Sequence, residues 1–452
     1  MVVIDWDQVG KEAAALLGAL IRADTSNPPG SEHRAAEVLA RVLTQANLAP
    51  RILEAEPGRS NLICQLDGEG NGDQLMLLSH LDVVPASREG WQRDPFGGEL
   101  VDGYVWGRGA LDTKNLTVMQ TLCLLLLQRR HIPLRRGVLL VATADEERGG
   151  KFGAQWLVEY HPDLLHASYV INEGGGHDIL VGSQRYYLCQ TGEKGTCRAM
   201  VTVTDEPGHG AMPRRRHAIG GLAAVIGHLA KHPFPYRTVP TSRALLEVLA
   251  ERSGTVFAEV LDRLDSGTLT PEGLDALPLP RYFAPELHAM LRDTFTPTMV
   301  TAGTQINVIP PKASAQFDGR ILPDTVPEAM LETIRAHATC ATSCTVELTP
   351  LTISSGLEFP HRTPFFAMIE AAVARHDSGA VVVPYLCPGG TDARHLRALP
   401  GTIVYGFKPM QQRPEAPREG LVHGLNERVS VENLVFGTRV LFDIVSRWCG
   451  FG

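Results

Sequence analysis

Three apolar runs typical of buried strands end directly before residues that carry a carboxylate or an imidazole. They are QLMLL before Ser79 and His80, GVLLVATA before Asp145, and SYVIN before Glu173. Apolar residues with helical spacing lie between them, so strands and helices alternate along this part of the chain. Such alternation predicts an α/β fold with a mostly parallel sheet and helices on both faces. In a sheet of this kind ligands bind outside the carboxyl ends of the strands, where we expect these polar residues to meet.

The sequence pattern changes at Gly192. The next segment, GTCRAMVTVT, alternates between apolar and polar residues as a half-exposed antiparallel strand does. The elements that follow have the order β-α-β-β-α-β, which is the order of a ferredoxin-like α+β unit. Its predicted members are a strand at 195–204, a helix near 217–231, strands at 301–310 and 312–323, a helix at 326–338 and a strand at 345–351.

After about Ser354 the alternation of strands and helices returns. We therefore predict an α/β domain that is interrupted by an inserted ferredoxin-like α+β domain. The predicted boundaries are 1–191 and 353–452 for the interrupted domain and 192–352 for the inserted one, with an elaboration at 233–300.

The composition excludes several classes of protein. The 452 residues include 42 basic and 50 acidic side chains, a net charge of −8 that argues against a surface for nucleic acid or anionic membranes. The start of the chain has no basic segment of the secretory kind, and the apolar run near 124–127 is too short to span a membrane. Eight cysteines occur without a CxxC pair, which is typical of reduced thiols in a cytoplasmic protein.

Five short segments supply polar side chains of the kind that bind metal ions. They contain His80 and Asp82, Asp112, Glu146 and Glu147, Glu173, and His423. Each has an ordinary alternative, since a lone histidine is often simply hydrogen-bonded and Asp112 could cap the following helix. The adjacent Glu146 and Glu147 could lie on the surface, but at the end of a buried strand they repel each other unless a cation lies between them. Together, the segments predict a metal site with carboxylate and imidazole ligands.

Seven motifs resemble those of the co-catalytic zinc peptidase family of clan MH. They are HLDVVP, GRGALDTK, DEE, NEGG, PGHGAMP, GGTDARHLR and HGLNERVSVENL. The resemblance covers nearly the whole chain and is weakest over 233–300. The family contains aminoacylase, carboxypeptidase S, glutamate carboxypeptidases, succinyl-diaminopimelate desuccinylase and acetylornithine deacetylase. It implies that the interrupted domain is catalytic and that the inserted domain is a lid or dimerisation domain.

The resemblance implies a site for two zinc ions. Asp112 would bridge the two ions, His80 and Glu173 would complete one site, and Glu147 and His423 would complete the other. Cobalt or manganese could occupy the same ligands, because a set of two imidazoles and three carboxylates does not select zinc alone.

The resemblance also implies the groups that act beside the metals. Glu146 would be the general base that takes a proton from the metal-bridging water, and Asp82 would orient His80. The peptide bond between Asp112 and Thr113 would be cis. Thr113 departs from the aspartate or methionine that the family commonly has at this position, which affects the expected substrate preference and not the catalysis.

Four further residues are candidates for substrate binding. His209 resembles the family histidine that stabilises the oxyanion, usually in the site of the partner subunit, and Asn307 resembles a second substrate contact. These two residues imply a homodimer. Arg320 and Arg394 could hold a substrate carboxylate, because a guanidinium matches that group bidentately. The alternatives are a polar turn at His209, a strand cap at Asn307 and salt bridges for the two arginines.

Glu173 bears on the substrate class. In the family a glutamate at this position marks aminoacylases, deacylases and carboxypeptidases, whereas an aspartate marks aminopeptidases and dipeptidases. We therefore predict hydrolysis of the amide bond of an N-acyl amino acid, or of a small peptide with a free carboxylate. Three alternatives stay open: a dipeptidase or aminopeptidase of the same family, another metal-assisted reaction at an sp² carbon, and a non-catalytic binding protein on this scaffold.

Overall fold

A computed structural model of the chain describes residues 4–70, 73–412 and 420–451. The described residues form thirteen α-helices and two short 3₁₀ turns, at Glu146–Arg148 and Pro162–Leu164. The helices are α1 (Trp6–Arg22), α2 (His33–Gln45), α3 (Lys114–Arg129), α4 (Ala154–Tyr160), α5 (Ala218–Lys231), α6 (Pro240–Ser253), α7 (Thr255–Asp265), α8 (Pro271–Asp275), α9 (Ala284–Met290), α10 (Pro327–Ala341), α11 (Pro364–His376), α12 (Ala393–Leu396) and α13 (Val431–Cys449).

Nineteen strands occur within the same described ranges. They are β1 (Arg51–Glu56), β2 (Arg59–Leu66), β3 (Gln74–His80), β4 (Glu99–Val101), β5 (Tyr104–Trp106), β6 (Gly137–Thr143), β7 (Tyr169–Asn172), β8 (Asp178–Val181), β9 (Gln184–Glu193), β10 (Gly195–Thr204), β11 (Gly208–His209), β12 (Thr294–Ala302), β13 (Val308–Ile309), β14 (Lys312–Ile321), β15 (Thr345–Ser354), β16 (Leu357–Glu358), β17 (Val381–Cys387), β18 (Ile403–Gly406) and β19 (Arg428–Ser430).

The chain divides into two compact units. The first contains the described residues of Met1–Thr191, Phe359–Tyr385 and Thr391–Gly452, and the second contains Gly192–Glu358 and Leu386–Gly390.

A large sheet forms the centre of the first unit, with the strand order β1-β2-β6-β3-β7-β18-β9. The four strands in its middle, β6, β3, β7 and β18, run parallel to one another, and antiparallel strands lie on both flanks. Every residue of β6 is buried, as is all but the first residue of β3, because strands inside a parallel sheet are covered on both faces. The predicted α/β fold with its parallel sheet is therefore confirmed.

The register of the parallel strands brings their carboxyl ends to one edge of the sheet. His80 at the end of β3 lies beside Thr143 at the end of β6, and Asn172 at the end of β7 lies beside Gly406 in β18. The apolar faces of α3 and α13 pack on this sheet, and α1 packs against both helices in the same hydrophobic core. The fold thus fixes the positions from which the polar strand ends project.

A second, smaller sheet positions two of the loops. The antiparallel strands β4, β5 and β19 pair in the order β19-β5-β4. The chain leaves β5 into the segment that contains Asp112, and it enters β19 from the segment that contains His423. Because β5 and β19 are antiparallel, both segments lie at the same end of this sheet.

The second unit contains an antiparallel sheet with the strand order β12-β14-β10-β15. This order and the two helices α5 and α10, which pack on the sheet, correspond to the predicted ferredoxin-like unit. Its core consists of small and branched residues of β10 and β14 against both helices, as in the contacts of Val201, Phe317, Leu222 and Ile334. Four helices, α6 to α9, occupy most of the predicted elaboration.

The strand predicted at 301–310 is wrong. The strand β12 runs instead over Thr294–Ala302 and pairs with β14, while β13 contains only Val308 and Ile309. Gly303, with φ of +64°, follows the end of β12. Pro297 made the sequence look irregular, but β12 lies at the edge of the sheet, where proline is tolerated because no ladder hydrogen bond is lost.

Among the described helices, none is both long and apolar enough to cross a membrane. Each of the eight cysteines is a free thiol, and six of them are buried.

Candidate metal centre

Five predicted ligands converge in the first unit. His80 Nε2 lies 3.3 Å from Asp112 Oδ1 and 3.4 Å from Glu173 Oε1. His423 Nε2 lies 3.2 Å from Asp112 Oδ2 and 3.2 Å from Glu147 Oε2. Asp112 therefore directs one carboxylate oxygen towards each imidazole, which places it between the two histidines. This is the arrangement expected of a carboxylate that bridges two cations.

Each ligand comes from a segment whose position the fold determines. His80 ends β3, Glu147 lies in the 3₁₀ turn after β6, and Glu173 follows β7. The Asp112–Thr113 peptide bond is cis, as the resemblance implied, and Asp112 stands just before α3. His423 has a φ of +58° in the segment before β19, and half of its side chain is exposed.

The local electrostatics correspond to cation sites. Hydrogen bonds to Asp112 and Glu147 raise the pKa of His423 to about 10. Burial disfavours a charged His80, yet the carboxylates of Glu173 and Asp112 hold its pKa well above the ordinary value. Burial likewise disfavours ionised Asp112, but hydrogen bonds from His423 and His80 hold its pKa well below the ordinary value. The carboxylates thus stabilise positive charge at both imidazoles, as they would stabilise metal ions.

The donor set also fits a pair of divalent metal ions. Ligand atoms of His80, Asp112 and Glu147 lie within 4.8 Å of one another, and so do those of His80, Glu146 and Glu173. In the described part of the chain, Glu147 Oε1 is buried without a hydrogen-bond partner. A buried carboxylate oxygen of this kind costs free energy unless another group, such as a metal ion, compensates it.

Asp82 holds the groups around His80. Its carboxylate accepts hydrogen bonds from the backbone N–H groups of Glu146 at 3.0 Å and Glu147 at 3.2 Å, and from Asn27 Nδ2 at 2.9 Å. The ring nitrogen His80 Nδ1 lies 3.0 Å from the backbone oxygen of Asp82 and 3.5 Å from its Oδ1. Asp82 therefore contacts the histidine ring and fixes the turn that carries both glutamates.

A buried chain of polar side chains, which the sequence analysis did not find, extends from Asp82. Asn27 Nδ2 also donates to Asp145 Oδ1 at 2.9 Å, and Arg59 donates to the same oxygen at 2.7 Å. Arg59 forms a bidentate pair with Glu32, with both donor–acceptor distances at 2.8 Å. Asp145 has a φ of +65°, so this network holds the turn after β6 in a conformation that is rare for aspartate.

Glu427, within the motif HGLNERVSVENL, is a second supporting group for which the sequence predicted no role. This buried carboxylate accepts hydrogen bonds from the backbone N–H groups of Leu111 at 2.6 Å and Asp112 at 3.1 Å, and from Arg108 at 2.6 Å. Arg108 in turn donates to the backbone oxygen of His423 at 3.2 Å. One buried ion pair thus ties together the two segments that carry Asp112 and His423.

Glu146 lies beside the ligands and contacts a predicted substrate residue. Arg394 Nη2 is 3.3 Å from Glu146 Oε1. Burial and the nearby Glu173 carboxylate raise the pKa of Glu146 well above its ordinary value. Asp392 is buried and accepts a hydrogen bond from Thr143 at 2.7 Å, and its pKa is raised to about 6 by burial.

The other three predicted substrate residues belong to the second unit. His209 and Asn307 are both exposed and lie side by side, because β11 pairs with β13 and the backbone N–H of Gly210 donates to Asn307 O at 2.8 Å. His209 Nδ1 accepts a hydrogen bond from the backbone of Ala211 at 3.1 Å. Arg320 is paired with Asp318 of its own strand at 3.1 Å.

A mixed α/β fold with carboxylates and imidazoles at the ends of its parallel strands defines the class of metal-dependent hydrolases. The model of the family described as Peptidase family M20/M25/M40 matches residues 76–447. The chain belongs to this family, as its motifs implied.

Several known proteins are similar to this chain. The N-fatty-acyl-amino acid synthase/hydrolase PM20D1 of Xenopus tropicalis is 33% identical over 83% of this chain and 72% of its own length. Aminoacylase-1 of Sus scrofa is 25% identical over 96% of this chain and 94% of its own. Among solved structures, the M20 family metallo-carboxypeptidase Sso-CP2 from Sulfolobus solfataricus has a TM-score of 0.69 at 16% identity, over 96% of this chain and 98% of that one.

Proposed function

We propose that this metal-dependent hydrolase cleaves the amide bond of N-acyl amino acids that carry a free carboxylate. The observation that carries the proposal is the convergence of His80, Asp112 and His423 with Glu147 and Glu173, beside a buried Glu146. The family and the similarity to acyl-amino-acid hydrolases support the same reaction class.

The metal ligands would be divided between two sites. His80 and Glu173 would hold one ion, Glu147 and His423 the other, and Asp112 would contact both. Zinc suits two imidazoles and three carboxylates, and cobalt or manganese would fit the same donors. When bound, such ions lower the pKa of a shared water towards 7 and polarise the substrate carbonyl.

Glu146 would move the proton. Its carboxylate takes a proton from the attacking water and donates it to the nitrogen that leaves when the amide bond breaks. Burial and the Glu173 carboxylate raise the pKa of Glu146, which makes its carboxylate a stronger base. The guanidinium of Arg394, 3.3 Å from Glu146 Oε1, would stabilise the ionised carboxylate of Glu146.

The second unit would supply substrate contacts. The exposed imidazole of His209 would donate a hydrogen bond to the oxyanion, and the adjacent Asn307 would bind the substrate beside it. The family resemblance assigns this histidine to the site of a partner subunit, so the proposal includes a homodimer in which the second unit acts as a lid or dimerisation domain.

Two arginines would recognise the free carboxylate of the substrate. Arg394 is partly exposed beside Glu146, while Arg320 is partly exposed and paired with Asp318. A guanidinium binds a carboxylate with two parallel hydrogen bonds, which fixes the orientation of the scissile amide. Of the two, we favour Arg394 because it already contacts the proposed base.

The acyl group would be apolar. Val422 and Leu425, on either side of His423, are 39% and 49% exposed and would contact an apolar acyl group. The names of PM20D1 relatives from several vertebrates specify fatty-acyl amino acids. A cytoplasmic location is proposed on the eight free thiols, which suit a reducing compartment.

A substrate panel together with the metal content tests the proposal. The panel contains one amino acid with acetyl, octanoyl and dodecanoyl groups, and dipeptides with free or blocked amino termini. We expect about two zinc ions per chain in the site, turnover of the blocked substrates, and kcat/KM that rises with acyl length.

The other outcomes separate the alternatives. Turnover only of dipeptides with a free amino terminus would identify a dipeptidase. Metal binding without turnover of any substrate would point to another reaction at an sp² carbon or to a binding protein. Turnover of N-acetyl substrates that falls with longer chains would overturn the apolar acyl site and leave the reaction class standing.

A further inference from the structure

Three histidines of the second unit lie together on one surface. His228 and His232 are one helical turn apart at the end of α5, and His337 projects from the neighbouring helix α10. One nitrogen of each ring lies within 4.8 Å of the nitrogens of the other two. None of these residues belongs to the metal centre or to the substrate contacts described above.

The hydrogen bonds within the cluster favour a second binding site. His228 Nε2 and His337 Nδ1 are 3.1 Å apart, a separation at which two imidazole nitrogens share either a proton or a metal ion. His232 Nδ1 lies 2.8 Å from the backbone oxygen of His228. Because that oxygen can only accept, Nδ1 carries the proton and Nε2 keeps its lone pair. Histidines that ligate metals are commonly held by this kind of bond.

The surroundings also suit a cation. His232 caps the carboxyl end of α5, where the helix dipole stabilises positive charge. A surface pocket of about 260 Å³ is lined by His232 and His337, and its wall contains one basic residue, Arg292, and one acidic residue, Asp293. It leaves room for a water or small anion as a fourth ligand, which a tetrahedral ion with three protein ligands requires.

We propose that His228, His232 and His337 form a second metal site, which binds a borderline divalent transition metal ion such as zinc. Three neutral imidazoles favour zinc, nickel or copper over magnesium or calcium, which prefer oxygen ligands. A bound ion would link α5 to α10 across the surface of the second unit. The ordinary alternative is a group of histidines that only hydrogen-bond to one another.

Zinc content after equilibrium dialysis tests the site. Wild type, His232→Ala, His337→Ala and the control His166→Ala are dialysed against the same micromolar free zinc, and bound zinc is counted by mass spectrometry. His166 is an exposed histidine of the first unit. We expect His232→Ala and His337→Ala each to hold one zinc per chain fewer than wild type and His166→Ala. Because the zinc content of each variant is subtracted from that of wild type, the result does not depend on how many ions the first unit holds.

The controls keep the result interpretable. His232 is exposed, so its replacement removes no core packing even if the partly buried His337→Ala folds poorly. Thermal unfolding without zinc should be the same for His232→Ala and wild type, while added zinc should raise the midpoint more for wild type. Equal zinc content in wild type and His232→Ala, with equal shifts of the midpoint, would contradict the proposal.

Discussion

The candidate metal centre and the pair His209–Asn307 differ in how the chain holds them. In the first unit the ligands rest on a buried second layer, in which Asp82 and Glu427 each accept at least three hydrogen bonds. In the second unit His209 ends the two-residue strand β11 and Asn307 directly precedes the two-residue strand β13, and both residues are exposed. The proposed metal ligands are thus held by buried hydrogen bonds, whereas the proposed substrate contacts lie on a surface. Substitutions at the metal centre should therefore lower metal content or stability, whereas substitutions at His209 or Asn307 should lower turnover alone.

The largest effect is expected for Asp112→Ala, because Asp112 faces both imidazoles. Loss of the shared carboxylate should reduce the metal content of the first unit below one ion per chain, and turnover should fall by more than about 10⁴-fold. Metal analysis and kcat/KM measure the two effects. The exposed Asp163→Ala is the matched control and should behave as wild type. Wild-type metal content in Asp112→Ala would contradict the proposed role of Asp112 as a ligand of both ions.

Glu427→Ala should be the most destabilising change of the second layer. It leaves Arg108 buried without its partner and removes the acceptor of two backbone N–H groups beside Asp112. Removing one member of a buried pair typically costs about 3–5 kcal/mol of unfolding free energy. Denaturant unfolding measures it. Glu99→Ala breaks the exposed pair with Arg93 and should cost under about 1 kcal/mol. An equal loss of unfolding free energy in Glu427→Ala and Glu99→Ala would contradict a stabilising role of the buried Glu427–Arg108 pair.

His209→Ala should change turnover and leave the metal alone. Loss of one oxyanion donor typically lowers kcat by about 10²–10³-fold. Because His209 is exposed, metal content and the unfolding midpoint should match wild type. Glu206→Gln, a change of an exposed residue in the same loop, is the control. Loss of metal in His209→Ala would show that the two regions are not separate in function.

The smallest effect is expected for Asn27→Ala. Asn27 Nδ2 joins Asp82 to Asp145, and neither residue ligates a metal in the proposed site. Groups at this distance typically change metal affinity by about 10–100-fold. Zinc competition with a chelator measures the change, with kcat under saturating zinc close to wild type. An unchanged affinity would mean that the carboxylates hold their positions without this amide.

The sequence predicted most of the fold because its strongest signals are local. Continuous apolar runs such as GVLLVAT became the buried strand β6, and the apolar residues with helical spacing between β3 and β6 became α3. The edge strand β12 was missed because Pro297 and its threonines resemble a loop when pairing with β14 is unknown. Strands β1 and β9 were also not predicted.

The ligands were proposed from strand ends and motifs, and the structure places all five together. The residues that hold these ligands in place were harder to predict from the sequence. Arg59 and Glu32 precede Asp145 by 86 and 113 residues, and their contacts with Asp145 exist only in the folded chain. The three histidines of the second unit join two helices, so spacing along the chain reveals at most His228 and His232.

Glu146→Gln, measured for metal content and turnover together, tests whether Glu146 is the base of a metal-dependent hydrolase. Glutamine has nearly the same size but cannot take a proton from water, while the five ligands stay unchanged. We expect two metal ions in the first unit, as in wild type, and kcat lower by about 10²–10⁴-fold. A variant that keeps both metals and near wild-type kcat would contradict the role of Glu146 as the base.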